Sequence, residues 1–233
     1  MARGGNPVNR VSPRWENRQT VAGFTSAGPN EALLASARRF LALSSRPRCL
    51  DIGCGVARNA LPLASLGFRV AGTDLSVPMI EAAHARVAAA PATADVKLVL
   101  APMQPLPFAD SVFDLIVAHG IWNLAGSGTE FRAAVGEAAR VAKPGAGLFL
   151  FTFSRRTLPP DARPDAGETF VYSSWNGEPQ CFLEEAGLVD ELARAGFVRD
   201  CSEPLTEYNA PRPGELRSGS GPPVIFEGTF LRK

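Results

Sequence analysis

The sequence predicts an α/β fold in which a mostly parallel β-sheet carries helices on both faces. The first observation is the pattern of residues 48–74, where a short apolar run, a glycine turn, a helical stretch and a second apolar run follow one another. The second is the segment 113–118, whose mostly apolar residues are typical of a central parallel strand buried on both faces. Helices that alternate with strands imply a parallel sheet with right-handed crossovers.

The other elements follow from apolar spacing and capping residues. Residues 1–28, rich in Gly, Pro, Arg and Asn, are predicted to form a flexible arm or lid, and one domain is predicted over 29–233. It begins with a helix over 29–43 capped by Asn30, and Ser76 caps another that ends near residue 90. Later strands are expected at 96–100, 148–153, 198–205 and 224–231, and helices at 129–142 and 184–195. The last two strands lack an intervening helix and should pair antiparallel.

Composition argues against several classes of partner. The formal net charge of +1 gives no reason to expect binding to nucleic acid or to an anionic membrane surface. No apolar run approaches the roughly 20 residues of a membrane span, and the N-terminus lacks the apolar core of a signal peptide, which predicts a cytoplasmic protein. The four cysteines show no C-x-x-C spacing, so we expect reduced structural thiols and no metal site.

The glycine turn after the first strand predicts a nucleoside-binding crevice. Gly53 and Gly55 allow backbone conformations that a side chain would forbid, and they let a ligand lie against the chain. Asp74, at the tip of the second strand, can hold two ribose hydroxyls with its carboxylate oxygens. Arg58 occupies the position where a dinucleotide fingerprint has its third glycine, and Asp51 is a poor neighbour for pyrophosphate. These residues favour a cationic nucleoside.

Four motifs occur in order along the chain, and together they resemble those of class I S-adenosylmethionine-dependent methyltransferases. They are Asp51-Ile52-Gly53-Cys54-Gly55, Asp74-Leu75-Ser76, Leu106-Pro107-Phe108 with Phe113-Asp114-Leu115-Ile116-Val117, and Ala139-Arg140-Val141-Ala142-Lys143-Pro144-Gly145. The resemblance covers about residues 30–233 and is greatest to the small-molecule group with tellurite-resistance and thiopurine methyltransferases. It implies a Rossmann-like, seven-stranded sheet of order 3-2-1-4-5-7-6, with the last strand antiparallel, and S-adenosyl-L-methionine as cofactor.

Ligands of open α/β sheets bind beyond the carboxyl ends of the strands, and this rule selects the expected cofactor residues. The family usually has an acidic residue near position 102 that reads the adenine amino group, and this chain has Pro102 there. The backbone at Met103 and the amide of Gln104 are expected to take over that contact. The full expected set is Asp51, Gly53, Cys54, Gly55, Arg58, Asp74, Leu75, Pro102, Met103, Gln104 and His119.

The methyl acceptor is expected to be a small molecule in an aromatic pocket. Four aromatics follow strands at the cofactor edge and a fifth lies in the leading segment, namely Trp122, Tyr172, Trp175, Tyr208 and Trp15. Packing of these side chains along long loops is the alternative. His119 is the one histidine near the expected methyl position, either as a base for a hydroxyl acceptor or as a positioning group. A thiol or an amine would need no base.

Three functions remain open on the sequence. The first is transfer of a methyl group from S-adenosylmethionine to a small thiol, amine or hydroxyl acceptor by in-line displacement. The second is a non-catalytic module that binds the cofactor as a sensor or partner subunit. Pro102 and Ala57, which depart from the residues that the family usually has there, are compatible with it. The third is a nicotinamide-dependent oxidoreductase, which Arg58 disfavours.

Overall fold

The fold is an α/β sandwich around one large sheet, and the computed structural model describes residues 11–210 and 221–233. The strands are β1 (Arg48–Ile52), β2 (Arg69–Asp74), β3 (Val96–Leu100), β4 (Phe113–His119), β5 (Ala142–Phe153), β6 (Val171–Tyr172), β7 (Gln180–Cys181), β8 (Phe197–Arg199), β9 (Thr206–Tyr208) and β10 (Ile225–Arg232). The α-helices are α1 (Pro13–Glu16), α2 (Arg18–Ser26), α3 (Glu31–Ala37), α4 (Ala60–Ser65), α5 (Val77–Ala88), α6 (Gly128–Val141) and α7 (Glu185–Arg194). Short 3₁₀ helices cover Arg38–Leu43, Trp122–Leu124 and Arg155–Thr157.

The strand order confirms the predicted topology. The sheet runs β3-β2-β1-β4-β5-β10-β8, with β1 to β5 parallel and β10 antiparallel to both β5 and β8. It has eight strands rather than seven, because β9 also pairs with β10. Of the predicted strand 198–205, only the first two residues form a strand, as part of β8, and β9 begins after it at Thr206. Asp200 turns the chain there by accepting hydrogen bonds from the Ser202 amide and hydroxyl. A separate two-stranded sheet, β6 with β7, was not predicted.

Helices cover both faces of the sheet, as predicted. Alternate residues of the central strands enter two hydrophobic clusters, one with Leu50 and Ile116 beneath α6 and α7, and one with Cys49 and Leu115 beneath α3 and α4. The helix expected over 29–43 is α3 followed by the 3₁₀ helix Arg38–Leu43, although its cap is as predicted. The side-chain oxygen of Asn30 accepts a hydrogen bond from the Leu33 amide at 2.9 Å.

The described part of the N-terminal arm is helical rather than irregular. Helices α1 and α2 pack against α5, and neither contributes a buried residue to the core. Ser76 Oγ, which caps α5, also donates a hydrogen bond to the Trp15 carbonyl oxygen at 2.9 Å. The first ten residues of the arm, and residues 211–220 of the loop before β10, lie outside the described residues. Among the helices that the structure describes, none has the length and apolar character to span a membrane.

Candidate functional site

The glycine turn between β1 and α4 has the backbone that its residues predict. Gly53 and Gly55 have φ angles of 68° and 51°, in the left-handed region that favours glycine. A Cβ added to Gly53 would lie 2.7 Å from Ile121 Cδ1, so this position also lacks room for a side chain. The Cys54 amide donates to the Thr73 carbonyl at 2.8 Å, which ties the turn to β2. Backbone is therefore exposed to the crevice where a ligand can approach closely.

Asp74 is held at the end of β2 with its carboxylate oriented by backbone amides. Its Oδ2 accepts from the Gly55 amide at 2.9 Å, and its Oδ1 accepts from the Ser76 amide at 2.8 Å. Burial raises the pKa of Asp74, and these backbone hydrogen bonds oppose that rise. Each carboxylate oxygen can accept a second hydrogen bond, so the group suits a ligand with two adjacent hydroxyls.

Asp51 lies beneath the turn in an unusual state for a carboxylate. The residue is 1% exposed, and its Oδ2 has no hydrogen-bond partner among the described residues. Burial raises its pKa to about 7, with the Arg58 charge opposing the rise and the Asp74 charge adding to it. A buried, unpaired acceptor of this kind is costly, and a cationic hydrogen-bond donor would compensate it.

His119 ends β4 on the same side of the sheet as Asp51, and its ring stacks on Phe151 with centroids 4.2 Å apart. Asn30 Oδ1 accepts the capping hydrogen bond from the Leu33 amide, so the side-chain nitrogen of Asn30 faces the His119 ring and lies 3.1 Å from its Nε2. Arg58 Nη2 lies 3.5 Å from Nδ1, so a donor group faces each ring nitrogen. Burial and the Arg58 charge lower the His119 pKa to about 4. The ring is therefore a weak base.

One cavity of about 190 Å³ joins these elements. Seven of the residues expected to bind the cofactor line it, which are Gly53, Gly55, Asp74, Leu75, Pro102, Met103 and His119. Asp51 lies below the lining, and Cys54 is packed against Gly72 of β2. Arg58 is not among the lining residues; its Nη1 donates to the Gly28 carbonyl at 3.0 Å and its Nη2 lies 3.5 Å from His119 Nδ1. Gln104 is not among the lining residues, so the adenine contact expected of its amide has no support from its position.

Of the five aromatic side chains expected in the acceptor pocket, only Trp15 lines the cavity. Trp122 is fully buried and packs on Phe131 in the core, because the 3₁₀ helix after β4 turns its side chain inward. Tyr172 and Trp175 pack on Phe182 in a small cluster of their own. Tyr208 is 43% exposed on β9 at the sheet edge. Trp122, Tyr172 and Trp175 thus pack against other side chains, Tyr208 is exposed, and none of the four is among the residues that line this cavity.

Ala101, Gly120 and Ile121 also line the cavity, as expected for residues that directly follow β3 and β4. The lining residues that were not anticipated from the sequence are Val11, Ser12, Phe24, Ser76, Met79, Leu124, Glu130, Glu178, Pro179 and Gln180. Glu130 has a detectable signal, since Ser127 and Glu130 have the spacing of a capping box at the start of α6, where Ser127 Oγ accepts from the Glu130 amide and Glu130 Oε2 accepts from the Gly126 amide. That pattern predicts a helix start rather than a ligand contact. Gln180 reaches the cavity on β7, a strand for which the sequence gives no clear sign.

The described residues contain no cluster of three or more His, Cys, Asp or Glu side chains that could hold a metal ion. The cysteines are free thiols, with Cys49, Cys54 and Cys181 buried and Cys201 exposed. The electrostatics of the site are set by carboxylates instead. The arrangement offers a ligand exposed backbone at the turn, the buried carboxylate of Asp51, the partly buried carboxylate of Asp74, and apolar side chains such as Met103, Ile121 and Leu124.

Comparisons with known proteins agree with this description. Residues 50–150 match the family described as a methyltransferase domain. Demethylmenaquinone methyltransferase of Mycobacterium marinum is 28% identical over 203 residues, covering 80% of this chain and 81% of that protein. The enzyme of the same name from Corynebacterium urealyticum is 31% identical over 150 residues, covering 64% of this chain and 59% of the relative, which is less than two thirds of its length.

A solved structure with the same fold is that of Burkholderia thailandensis 1,6-didemethyltoxoflavin-N1-methyltransferase, with bound 1,6-didemethyltoxoflavin and S-adenosylhomocysteine. It matches with a TM-score of 0.59 and 19% identity, over 88% of this chain and 80% of that one. At this level of identity the likeness shows a shared fold.

Proposed function

We propose that the chain is a class I S-adenosylmethionine-dependent methyltransferase and that it methylates a small molecule bound between the glycine turn and the 3₁₀ helix after β4. One observation carries the proposal. A single cavity is lined both by Gly55 and Asp74 and by apolar side chains that include Met103, Ile121 and Leu124. A cofactor and an acceptor could thus meet without crossing solvent.

The residues around the glycine turn fit the cofactor. Asp51, with its unpartnered Oδ2, is suited to the ammonium of the amino-acid moiety, and Asp74 to the ribose hydroxyls. Gly53 and Gly55 leave the backbone bare beside them. Pro102 and Met103 line the cavity where adenine is expected, and they offer backbone and apolar surface rather than a carboxylate. When bound, S-adenosylmethionine supplies an electrophilic methyl group on a sulfonium.

The chain's own contribution to the reaction is then mainly positioning. Ile121 and Leu124 give the acceptor an apolar surface, and Trp15 and Phe24 cover the cavity and keep water out. Holding two reactants in line can supply roughly 7 to 11 kcal/mol of barrier reduction. His119, neutral and already hydrogen bonded, is suited to shaping the cavity rather than to taking a proton. The positioning role is favoured over the base role.

The identity of the acceptor is proposed from two sources. The relatives named demethylmenaquinone methyltransferases make a quinone-type ring the first acceptor to test. The finer resemblance to tellurite-resistance and thiopurine methyltransferases remains a prediction, and it adds thiols to the set. The apolar lining near Ile121 accommodates either class.

Two measurements test the proposal. Calorimetry with S-adenosylhomocysteine should show binding that Asp74→Asn weakens, while the oxidised nicotinamide dinucleotide should not bind. Transfer of a tritiated methyl group should then be measured with quinone, phenol, amine and thiol acceptors. Transfer to at least one class supports the proposal. Tight cofactor binding without transfer to any class would instead support the sensor or partner-subunit function, and absence of cofactor binding would refute both.

A further inference from the structure

The lining of the cavity has a distinctive charge. Three carboxylates line the cavity, those of Asp74, Glu130 and Glu178, and no lysine or arginine is among the described residues that line it. Glu130 Oε2 accepts from the Gly126 amide at 2.7 Å, and Glu178 Oε1 accepts from Ser12 Oγ at 2.7 Å. An anionic acceptor would enter this field without a counter-charge. The lining thus disfavours carboxylate and phosphate compounds.

Gln180 is the second observation, and it is independent of the carboxylates. It lines the cavity from β7, is 4% exposed, and its Oε1 has no hydrogen-bond partner among the described residues. A buried amide oxygen left without a partner is unfavourable. Gln180 and Cys181 pair with Tyr172 and Val171 in the β6–β7 sheet, which restrains the strand. A ligand donor is the group that would satisfy this oxygen.

We propose that Gln180 is a specificity-determining residue for the acceptor, and that the acceptor is a neutral or cationic molecule that donates an N–H or O–H hydrogen bond to its side-chain amide. The inference rests on the proposed function and deepens it. Glu130 lies in the same cavity, and burial raises its pKa. Its carboxylate offers a second acceptor for a molecule with two donors. Hydroxyarenes, aminoarenes and cyclic amides have this chemistry, whereas fully alkylated analogues do not.

Matched pairs of probes test this inference by calorimetry on the protein saturated with S-adenosylhomocysteine. The pairs are 1-naphthol with 1-methoxynaphthalene, and 2-quinolinone with its N-methyl derivative, and 1-naphthoate serves as the anionic probe. In the wild type, at least one donor-bearing probe should bind about tenfold tighter than its alkylated partner, since tenfold corresponds to 1.4 kcal/mol. Gln180→Met, which keeps the side-chain length and removes the amide, should abolish that difference. Naphthoate should bind weakest.

A matched control is Gln19→Met on the exposed face of α2, which should leave all affinities unchanged. Equal wild-type affinities within both pairs, no binding by any probe, or tight binding of naphthoate would each overturn the inference. So would a preference that survives in Gln180→Met. If that variant does not fold, the wild-type preference within each pair still decides. Failure of the proposed function is distinguishable, because it appears as lost S-adenosylhomocysteine binding or absent methyl transfer in the wild type.

Discussion

Replacing Asp51 with asparagine should stabilise the protein and weaken its cofactor site at the same time. Asp51 is 1% exposed with an unpartnered Oδ2, and its pKa is raised from 3.8 to about 7, mainly by burial. A difference of about 3 pKa units at 1.36 kcal/mol per unit corresponds to at most about 4 kcal/mol. This is the free energy by which ionising the buried carboxylate destabilises the folded state relative to the unfolded chain.

The pH dependence has a definite sign. Between pH 4 and pH 7 the folded protein holds a proton on Asp51 that the unfolded chain has released, so the stability due to this group is complete below pH 4 and is lost as pH rises through 7. His119 acts oppositely, because its pKa is lowered to about 4 and its contribution is lost as pH falls. The wild-type profile therefore combines opposing slopes, and the difference between variant and wild type isolates Asp51.

Urea unfolding of the wild type and of Asp51→Asn, without ligand, at several pH values from 4.5 to 8 measures that difference. The variant should gain stability relative to the wild type as pH rises, by up to about 4 kcal/mol at pH 8. Its affinity for S-adenosylhomocysteine should fall by about 2 kcal/mol, roughly thirtyfold, through loss of a charged hydrogen bond. Asp74→Asn is the contrast, since it removes an acceptor of two backbone amides and should destabilise. The reasoning would be refuted if Asp51→Asn were less stable than the wild type at pH 8, or if the difference in unfolding free energy between them did not depend on pH.

Three further outcomes follow from the same geometry. Gly53→Ala should lower the free energy of unfolding in urea by about 1–3 kcal/mol, because residue 53 has a φ of 68° and its new Cβ would lie 2.7 Å from a neighbouring side chain. The control Gly136→Ala, at an exposed position of α6, should be neutral or stabilising. Equal effects of the two substitutions would contradict the strain argument. Trp122→Ala should lose about 3–5 kcal/mol in thermal unfolding and leave S-adenosylhomocysteine affinity unchanged, and a stable variant with weakened acceptor binding would restore the pocket expectation. His119→Gln keeps an acceptor for the Asn30 amide, so methyl-transfer rates should fall less than about tenfold. A loss of 10²-fold or more, with a wild-type rate step near pH 4 that the variant lacks, would make His119 a base.

The sequence predicted the framework well because the relevant signals are local. Strand β3 has the predicted limits, and Asn30 and Ser76 cap the helices that they were expected to cap. The predicted strand 198–205 ends early, after Arg199, at the side chain of Asp200, which accepts hydrogen bonds from Ser202 and pairs with Arg39. The contact of Asp200 with Arg39, 161 positions away in the chain, cannot be predicted from the spacing of nearby apolar residues.

The site was predictable at its cofactor end and not at its acceptor end. Positions after strands are fixed by topology, so Gly53, Asp74 and His119 could be placed at one edge before the structure was known. Topology does not say which way a side chain points in the turn that follows, and Trp122 turns into the core. Gln180 depends on a two-residue strand in a long connection, and such a strand has too few residues for a periodic pattern.

The size of the cavity indicates which part of the molecule must move. Its volume is about 190 Å³, whereas sites for drug-sized ligands range from roughly 300 to 1,000 Å³. Helices α1 and α2, which cover it, bury no residue of their own. Side-chain bonds that hold them include Ser12 to Glu178 and Ser76 to the Trp15 carbonyl. Each is worth about 0.5–1.5 kcal/mol, so lifting these helices costs far less than opening the core.

The chain that follows α2 is held more firmly. Arg58 donates to the Gly28 carbonyl at 3.0 Å, and the Asn30 amide donates to Asn59 Oδ1 at 3.0 Å. Arg58 and Asn59 lie in the segment that leads from the glycine turn into α4. The chain at Gly28 and Asn30, about which the covering helices would move, is thus bonded to the same turn that faces the cofactor. The Arg58 charge also opposes the rise in the Asp51 pKa that burial causes. A ligand cation beside Asp51 would repel the Arg58 guanidinium, and this repulsion would weaken the hydrogen bond from Arg58 to the Gly28 carbonyl.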